Sequence, residues 1–163
     1  MTLEPLAAAL EHEHHEIDQG IEAFASALAA GESRPEPLTQ AIDALRRHIY
    51  LEERFLFPAL RKAGLVTPVL VMLREHGQIW GTLDRLELGL TSGTVGAATL
   101  KACRELTVQL QHHNLKEEKI LYPQIDRVLT ASARAELSAF LDLGKMPESW
   151  VCERARGPAD RTA

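Results

Sequence analysis

The sequence predicts an all-α fold: an up-down-up-down antiparallel four-helix bundle with a short fifth helix and a C-terminal tail. Three observations predict it. Apolar residues recur every three or four positions along four long stretches, and alternating strand-like patterns are almost absent. The connections between those stretches are short, which favours antiparallel neighbours. The second half of the chain also repeats the first, with the same residue types at the same offsets.

The first stripe is Leu3, Leu10, His14, Ile17, Ile21, Phe24 and Leu28, ended by Gly31. Ser33 to Pro37 is a loop or the start of the next helix. The second stripe reads Leu38, Ala41, Leu45, His48, Glu52, Phe55 and Ala59, and Gly64 closes it. Thr67 is the expected N-cap of the third helix, with Pro68 at its first position, where a missing N–H costs nothing. That helix carries Val69, Met72, His76, Trp80, Leu83, Leu86 and Leu90 up to the turn Ser92–Gly96. The fourth stripe is Thr99, Cys103, Leu106, Leu110, His113, Glu117 and Ile120. A shorter helix starts near Thr130 or Ser132 and stops at Gly144. Residues 1–144 are the expected bundle domain, and 145–163 are a polar tail that docks locally or stays mobile.

Composition narrows the function classes. With a net charge of −5 the chain presents no cationic field for nucleic acid or anionic membranes. The basic pairs Arg46-Arg47 and Arg61-Lys62 read as solvated helix surface. Cys103 and Cys152 form no C-x-x-C pair, which argues against a disulfide framework or a cysteine zinc site. Met1 to Pro5 lacks the pattern of a signal peptide, no apolar run approaches a membrane span, and the expected location is the reducing cytoplasm.

The duplication carries the chemistry. His48-Ile49-Tyr50-Leu51-Glu52-Glu53 leads to Leu56-Phe57-Pro58, and His113-Asn114-Leu115-Lys116-Glu117-Glu118 leads to Leu121-Tyr122-Pro123. Each half also opens with a Glu-His pair, Glu13-His14 and Glu75-His76. A His and a Glu four residues apart lie one turn apart on the same helical face and reach one point inside a bundle. Four imidazoles and two carboxylates thus interrupt apolar stripes at matching depth. Burying two uncompensated carboxylates costs several kcal/mol each, about what a pair of cations offsets. Any one of these positions alone would be read as a hydrogen-bonded core residue; six in duplicate read as a metal site. Mixed imidazole and carboxylate ligation suits iron better than magnesium or calcium, while zinc and manganese satisfy the same donors. His14 rather than His15 continues the buried stripe, and His12, His15 and His112 are expected at the surface, as is the His12–Glu16 pair. Tyr50 and Tyr122 are candidate donors to the ligands, each expected first as a packing residue. Without metal, Glu52 and Glu117 are expected to raise one another's pKa, so that replacing either by Gln stabilises the metal-free form.

These elements resemble the hemerythrin-like family, the HHE cation-binding domain, over about Leu3 to Leu143. The resemblance implies a four-helix bundle around two iron ions, carboxylate-bridged with an oxo or hydroxo bridge, that react with dioxygen, nitric oxide or peroxide. It implies Glu52 and Glu117 as the bridges and His14, His48, His76 and His113 as terminal ligands. Oxygen-carrying hemerythrins of animals have a fifth histidine one turn from the third-helix ligand, where this chain has Met72 and Trp80. The four-His, two-Glu set is more similar to di-iron proteins of nitrosative stress and iron–sulfur cluster repair.

The leading expectation is a di-iron protein that binds or senses a small diatomic ligand or peroxide. The alternative is an enzyme, oxidase- or peroxidase-like or an iron donor in cluster repair, served by an electron donor. A metal-free helical interaction module is the third. A ferritin-like reading is weaker, because only Glu11 to His14 offers the Glu-x-x-His spacing of that class.

Overall fold

The computed structural model describes residues 4–155, and among them the chain is helical with no strand. Helix α1 (Leu6–Ala29) ends where Gly31 adopts a φ of 86°, a left-handed conformation that glycine reaches without Cβ strain. The amides of Gly31 and Glu32 turn back to Leu28 and Ala27 and satisfy the last carbonyls. Helix α2 (Glu36–Leu51) continues through a π-helical turn (Glu52–Leu56) into α3 (Phe57–Lys62). Helix α4 spans Val66–Thr91. Helix α5 (Ala97–Lys116) runs into a second π-helical turn (Glu117–Leu121), a 3-10 turn (Tyr122–Gln124) and α6 (Ile125–Val128). Helix α7 (Ala131–Leu143) is capped by Thr130, whose hydroxyl accepts from the Ala133 amide at 3.1 Å, and stops at Gly144 as expected.

Two local expectations need correction. Helix α4 begins at Val66 with Leu65 before it, so Thr67 is not its N-cap and Pro68 is the third residue of the first turn. Proline is harmless there because the first amides of a helix have no partner to lose. The stripes also slip by one residue beyond each glutamate. Phe55 and Ala59 were the expected core positions, yet Leu56, Phe57 and Leu60 are buried; Ile120 is 46% exposed while Leu121 is buried. The cause is the π-helical turn, which inserts one extra residue into the helical period. It forms where Pro58 and Pro123 would otherwise press on the carbonyls four residues back. The Phe57 and Tyr122 amides instead reach back five residues, to the carbonyls of Glu52 and Glu117. The Leu3 position of the first stripe lies outside the described residues.

The long helical segments pack in a ring: α1 on α2, α2 on α4, α4 on α5 and α5 on α1. The core divides into two apolar clusters, one containing Ile17, Leu45, Ile79 and Leu106 and the other Leu10, Leu56, Met72 and Leu121. On α1, α4 and α5 the switch from one cluster to the other falls at His14, His76 and His113, and on α2 it falls between His48 and Glu52. The polar side chains therefore form one layer between two dry ones. Of the expected tail, the described residues up to Ala155 pack back onto the first cluster, with Cys152 completely buried, and residues 156–163 lie outside the described residues.

Arg46 and Arg47 are not solvated surface. Arg46 pairs with Glu87 and, at 2.7 Å, with Asp84, and lies 5.2 Å over the Trp80 ring. Arg47 bonds the terminal carbonyls of α7 (Phe140, Leu141 and Gly144) and pairs with Glu13. Both act as struts because their long apolar stems can lie along packed surface. Arg61 and Lys62 are exposed as expected.

Candidate metal centre

All six sequence-predicted residues meet in the polar layer, each 3% exposed or less. Their donor atoms form two quartets: His14, His48, Glu52 and Glu117, and Glu52, His76, His113 and Glu117. Within each quartet the donors lie within 4.8 Å of one another, and both glutamates belong to both quartets. In the first, the Nε2 atoms of His14 and His48 face each other at 3.0 Å, His48 Nε2 lies 2.5 Å from Glu52 Oε1, and His14 Nε2 lies 3.4 Å from Glu117 Oε1. In the second, His113 Nε2 is 3.2 Å from Glu117 Oε1 and His76 Nε2 is 3.3 Å from Glu52 Oε2.

Every imidazole is held from behind. The Nδ1 of His48 donates to Glu13 at 2.8 Å, that of His76 to Glu53 at 2.7 Å, and those of His14 and His113 to Glu118 and Glu75 at 3.1 Å each. Each supporting carboxylate is the sequence neighbour of one candidate ligand and orients a ligand on a different helix. A carboxylate on Nδ1 fixes the tautomer and aims Nε2 at a metal. The Glu-His and Glu-Glu pairs in the sequence were the signal for these four residues, but which helix each would serve depends on the packing.

The aromatic rings beside the donors differ between the two halves. Offsets from the glutamates match Tyr122 with Phe57, and their rings stack on His14 and His76 at 5.6 and 5.3 Å. Tyr122 is thus more than the packing residue expected. Its buried hydroxyl donates to Glu52 at 2.7 Å and lies 3.1 and 3.2 Å from the Nε2 atoms of His14 and His48. Burial, with the Glu117 and Glu52 charges beside it, pushes the phenol well above its usual pKa. Tyr50 packs against Phe55, Phe140 and Trp150, away from the donors.

Electrostatics among the protein groups run opposite to the expectation for Glu52. Burial would raise Glu52, but the His48 charge and hydrogen bonds around it hold it well below the usual range. Burial would lower His48 and His113, but Glu52 beside the first and Glu117 beside the second raise both to about 10. The Glu52 charge is compensated by the neighbouring imidazoles and by a hydrogen bond with Glu117.

That compensation is incomplete. Among the described residues, the buried Oε2 atoms of Glu52 and Glu117 and the Nε2 of His76 make no hydrogen bond. Orphaned buried acceptors are costly in an apolar interior and rare in native proteins. All three belong to residues of the second quartet, and the two glutamates belong to both. A finished hydrogen-bond network would leave no such atoms, and a metal pair would use them all. The donor set therefore fits metal ions.

Comparison with protein families matches residues 6–125 to the hemerythrin HHE cation binding domain. The chain belongs to this family. Similar curated proteins are an uncharacterised protein of Mycobacterium bovis and two of Mycobacterium tuberculosis, each 29% identical over 119 residues. The match covers 64% of this chain and 46% of theirs, so the chain spans about half the length of these relatives. No solved structure matches it. The hemerythrin HHE domain thus carries a buried His/Glu cluster compatible with metal binding. Its other histidines stand apart: His12, His15 and His112 are exposed, and His12 only pairs with Glu16 at 3.2 Å on the surface. No helix among the described residues is long and apolar enough to cross a membrane.

Proposed function

We propose that this hemerythrin HHE domain is an up-down-up-down four-helix bundle holding two iron ions and binding a small oxidant: dioxygen, nitric oxide or peroxide. The observation that carries the reading is the pair of quartets sharing Glu52 and Glu117, with an unused oxygen on each glutamate. Four imidazoles and two carboxylates over-supply one ion and suit two. The ring of helix contacts supports the bundle.

When bound, iron supplies Lewis acidity and redox capacity toward a small molecule at an open coordination position. The chain's own residues do the rest. Glu13, Glu53, Glu75 and Glu118 hold the imidazoles in one tautomer. The apolar clusters above and below keep water out and strengthen each polar contact in the layer. Tyr122 offers a single hydroxyl beside His14 and His48, placed to donate to an anionic or polar group there.

Elemental analysis and an absorption spectrum of protein purified from iron-supplied cells test this. We expect about two irons per chain and near-ultraviolet charge-transfer bands that peroxide or nitric oxide perturb. One iron, or none, overturns the binuclear reading. Sustained consumption of peroxide with a reductant would turn the binding protein into an enzyme.

A further inference from the structure

The duplication that builds the metal centre also builds two grooves beside it. The offsets that match His14 with His76 match His15 with Gly77 and Asp18 with Trp80. Those that match His113 with His48 match Leu115 with Tyr50 and Glu118 with Glu53. The two grooves have different fates.

The groove between α2 and α4 is filled by the segment after α7. Trp150 packs edge-on against Tyr50 at 5.0 Å and Trp80 at 5.6 Å. The amide of Glu153 donates to Glu53 at 3.0 Å, behind His76. Gly77 makes room for the chain: a Cβ there would stand 2.7 Å from the Arg154 carbonyl, so a larger residue would expel the segment. The matching groove between α1 and α5 has His15 and Asp18 where its twin has Gly77 and Trp80. It holds a cavity of about 160 Å³ lined by His14 itself with His15, Asp18, Asn114 and Glu118. Glu118, behind His14, is 29% exposed, whereas its twin Glu53 is 8% exposed.

We infer that the α1/α5 groove is the route by which metal ions and small uncharged molecules reach the centre, and that residues 145–155 close the equivalent route. The inference rests on the metal-binding reading above. The cavity has room for a few water-sized molecules, at about 30 Å³ each. Two carboxylates rim it, and an acidic mouth concentrates divalent cations. It opens on the half that carries the Tyr122 hydroxyl. A larger cavity of about 480 Å³ lies at the edge of the docked segment, but no candidate ligand lines it. The Phe57 ring, stacked on His76, lines it instead, and Arg54 and Arg61 offset the carboxylates of Glu53 and Glu153 there, so its mouth is not acidic.

Cobalt(II) uptake by the full-length metal-free protein tests the route, read in stopped flow from the d–d absorption. Asp18→Arg, at an exposed position, should slow uptake by about tenfold or more while leaving the final cobalt content unchanged. Adding Trp150→Ala in that background should restore the rate and make Trp80 accessible to acrylamide quenching. Failure of either overturns the segment's role as the closure. Uptake by Asp18→Arg within about twofold of wild type, at full cobalt content, overturns the route alone. A wild-type chain that takes up no cobalt at equilibrium overturns the metal reading and the route with it.

Discussion

At the scale of single residues, the candidate centre rests on four carboxylates outside its donor set. Glu13, Glu53, Glu75 and Glu118 each hold one imidazole, and each is partly buried. Glu53→Gln keeps the shape but removes the charge behind His76, so metal affinity should fall by about 10–100-fold. Competition with a chelator measures this, and an unchanged affinity would make the carboxylate a packing residue. The metal-free form makes a separate prediction. His48 and His113 have folded-state pKa values of about 10 against an ordinary 6.5. A raised pKa means the folded chain holds protons that the unfolded chain releases. The stability they contribute is complete below about 6.5 and is lost as pH rises toward 10. Thermal melts of metal-free protein should show Tm falling across that window; a flat or rising Tm overturns the assignment. Glu52, held low, contributes in the other direction, losing its stabilisation as pH falls below the ordinary carboxylate range. Glu52→Gln should therefore destabilise the metal-free form, the reverse of what two mutually repelling carboxylates would give.

Helical period decided how much of each element was legible. His14, His48, His76 and His113 could be placed in advance because each interrupts an apolar stripe at a turn's spacing, twice over. The same arithmetic failed past Glu52 and Glu117, where the π-helical turns add a residue that no stripe count contains. Pro58 and Pro123 were the visible signs, but proline inside a helix announces a disturbance without specifying its form. The slip has a testable corollary. Deleting exposed Arg54 puts Leu56, Phe57 and Leu60 three, four and seven residues after Glu52, offsets that suit an unbroken α-helix. Combined with Pro58→Ala, which removes the ring from the carbonyl four residues back, that deletion should keep helicity and a cooperative melt. Deleting exposed Ala44, inside α2, throws Leu38, Ala41 and Ile42 out of phase with Leu45 and should abolish cooperative folding. Equal damage from both would mean that the turn is not an absorbed insertion. The docked segment was the least legible element. Trp150 and Cys152 have no periodicity to follow, and Gly77 shows its purpose only once Arg154 is seen against it.

For the whole molecule, the duplication makes two halves alike and a few substitutions make them different. With iron bound, the half beside Tyr122 and the half beside Phe57 should be distinguishable: two quadrupole doublets in the Mössbauer spectrum of iron-57-loaded protein. Tyr122→Phe removes the hydroxyl from His14, His48 and Glu52, and the two doublets should converge. Persistence of the original separation would place the inequivalence elsewhere, for instance in the docked segment.

The sharing of Glu52 and Glu117 between the two quartets has a consequence for ancestry. The hairpin of α1 and α2, with the turn that follows, supplies His14, His48 and Glu52 but lacks the fourth donor, Glu117; the hairpin of α4 and α5 supplies His76, His113 and Glu117 but lacks Glu52. Neither hairpin completes a site alone, yet two copies of one hairpin facing each other would complete both. In such a pair of identical subunits every substitution appears twice, and the two quartets must remain equivalent. Joining the copies in one chain lifts that restriction. Phe57 facing one half, Tyr122 the other, and a glycine opposite a histidine beside them are changes that only a fused pair can make on one side.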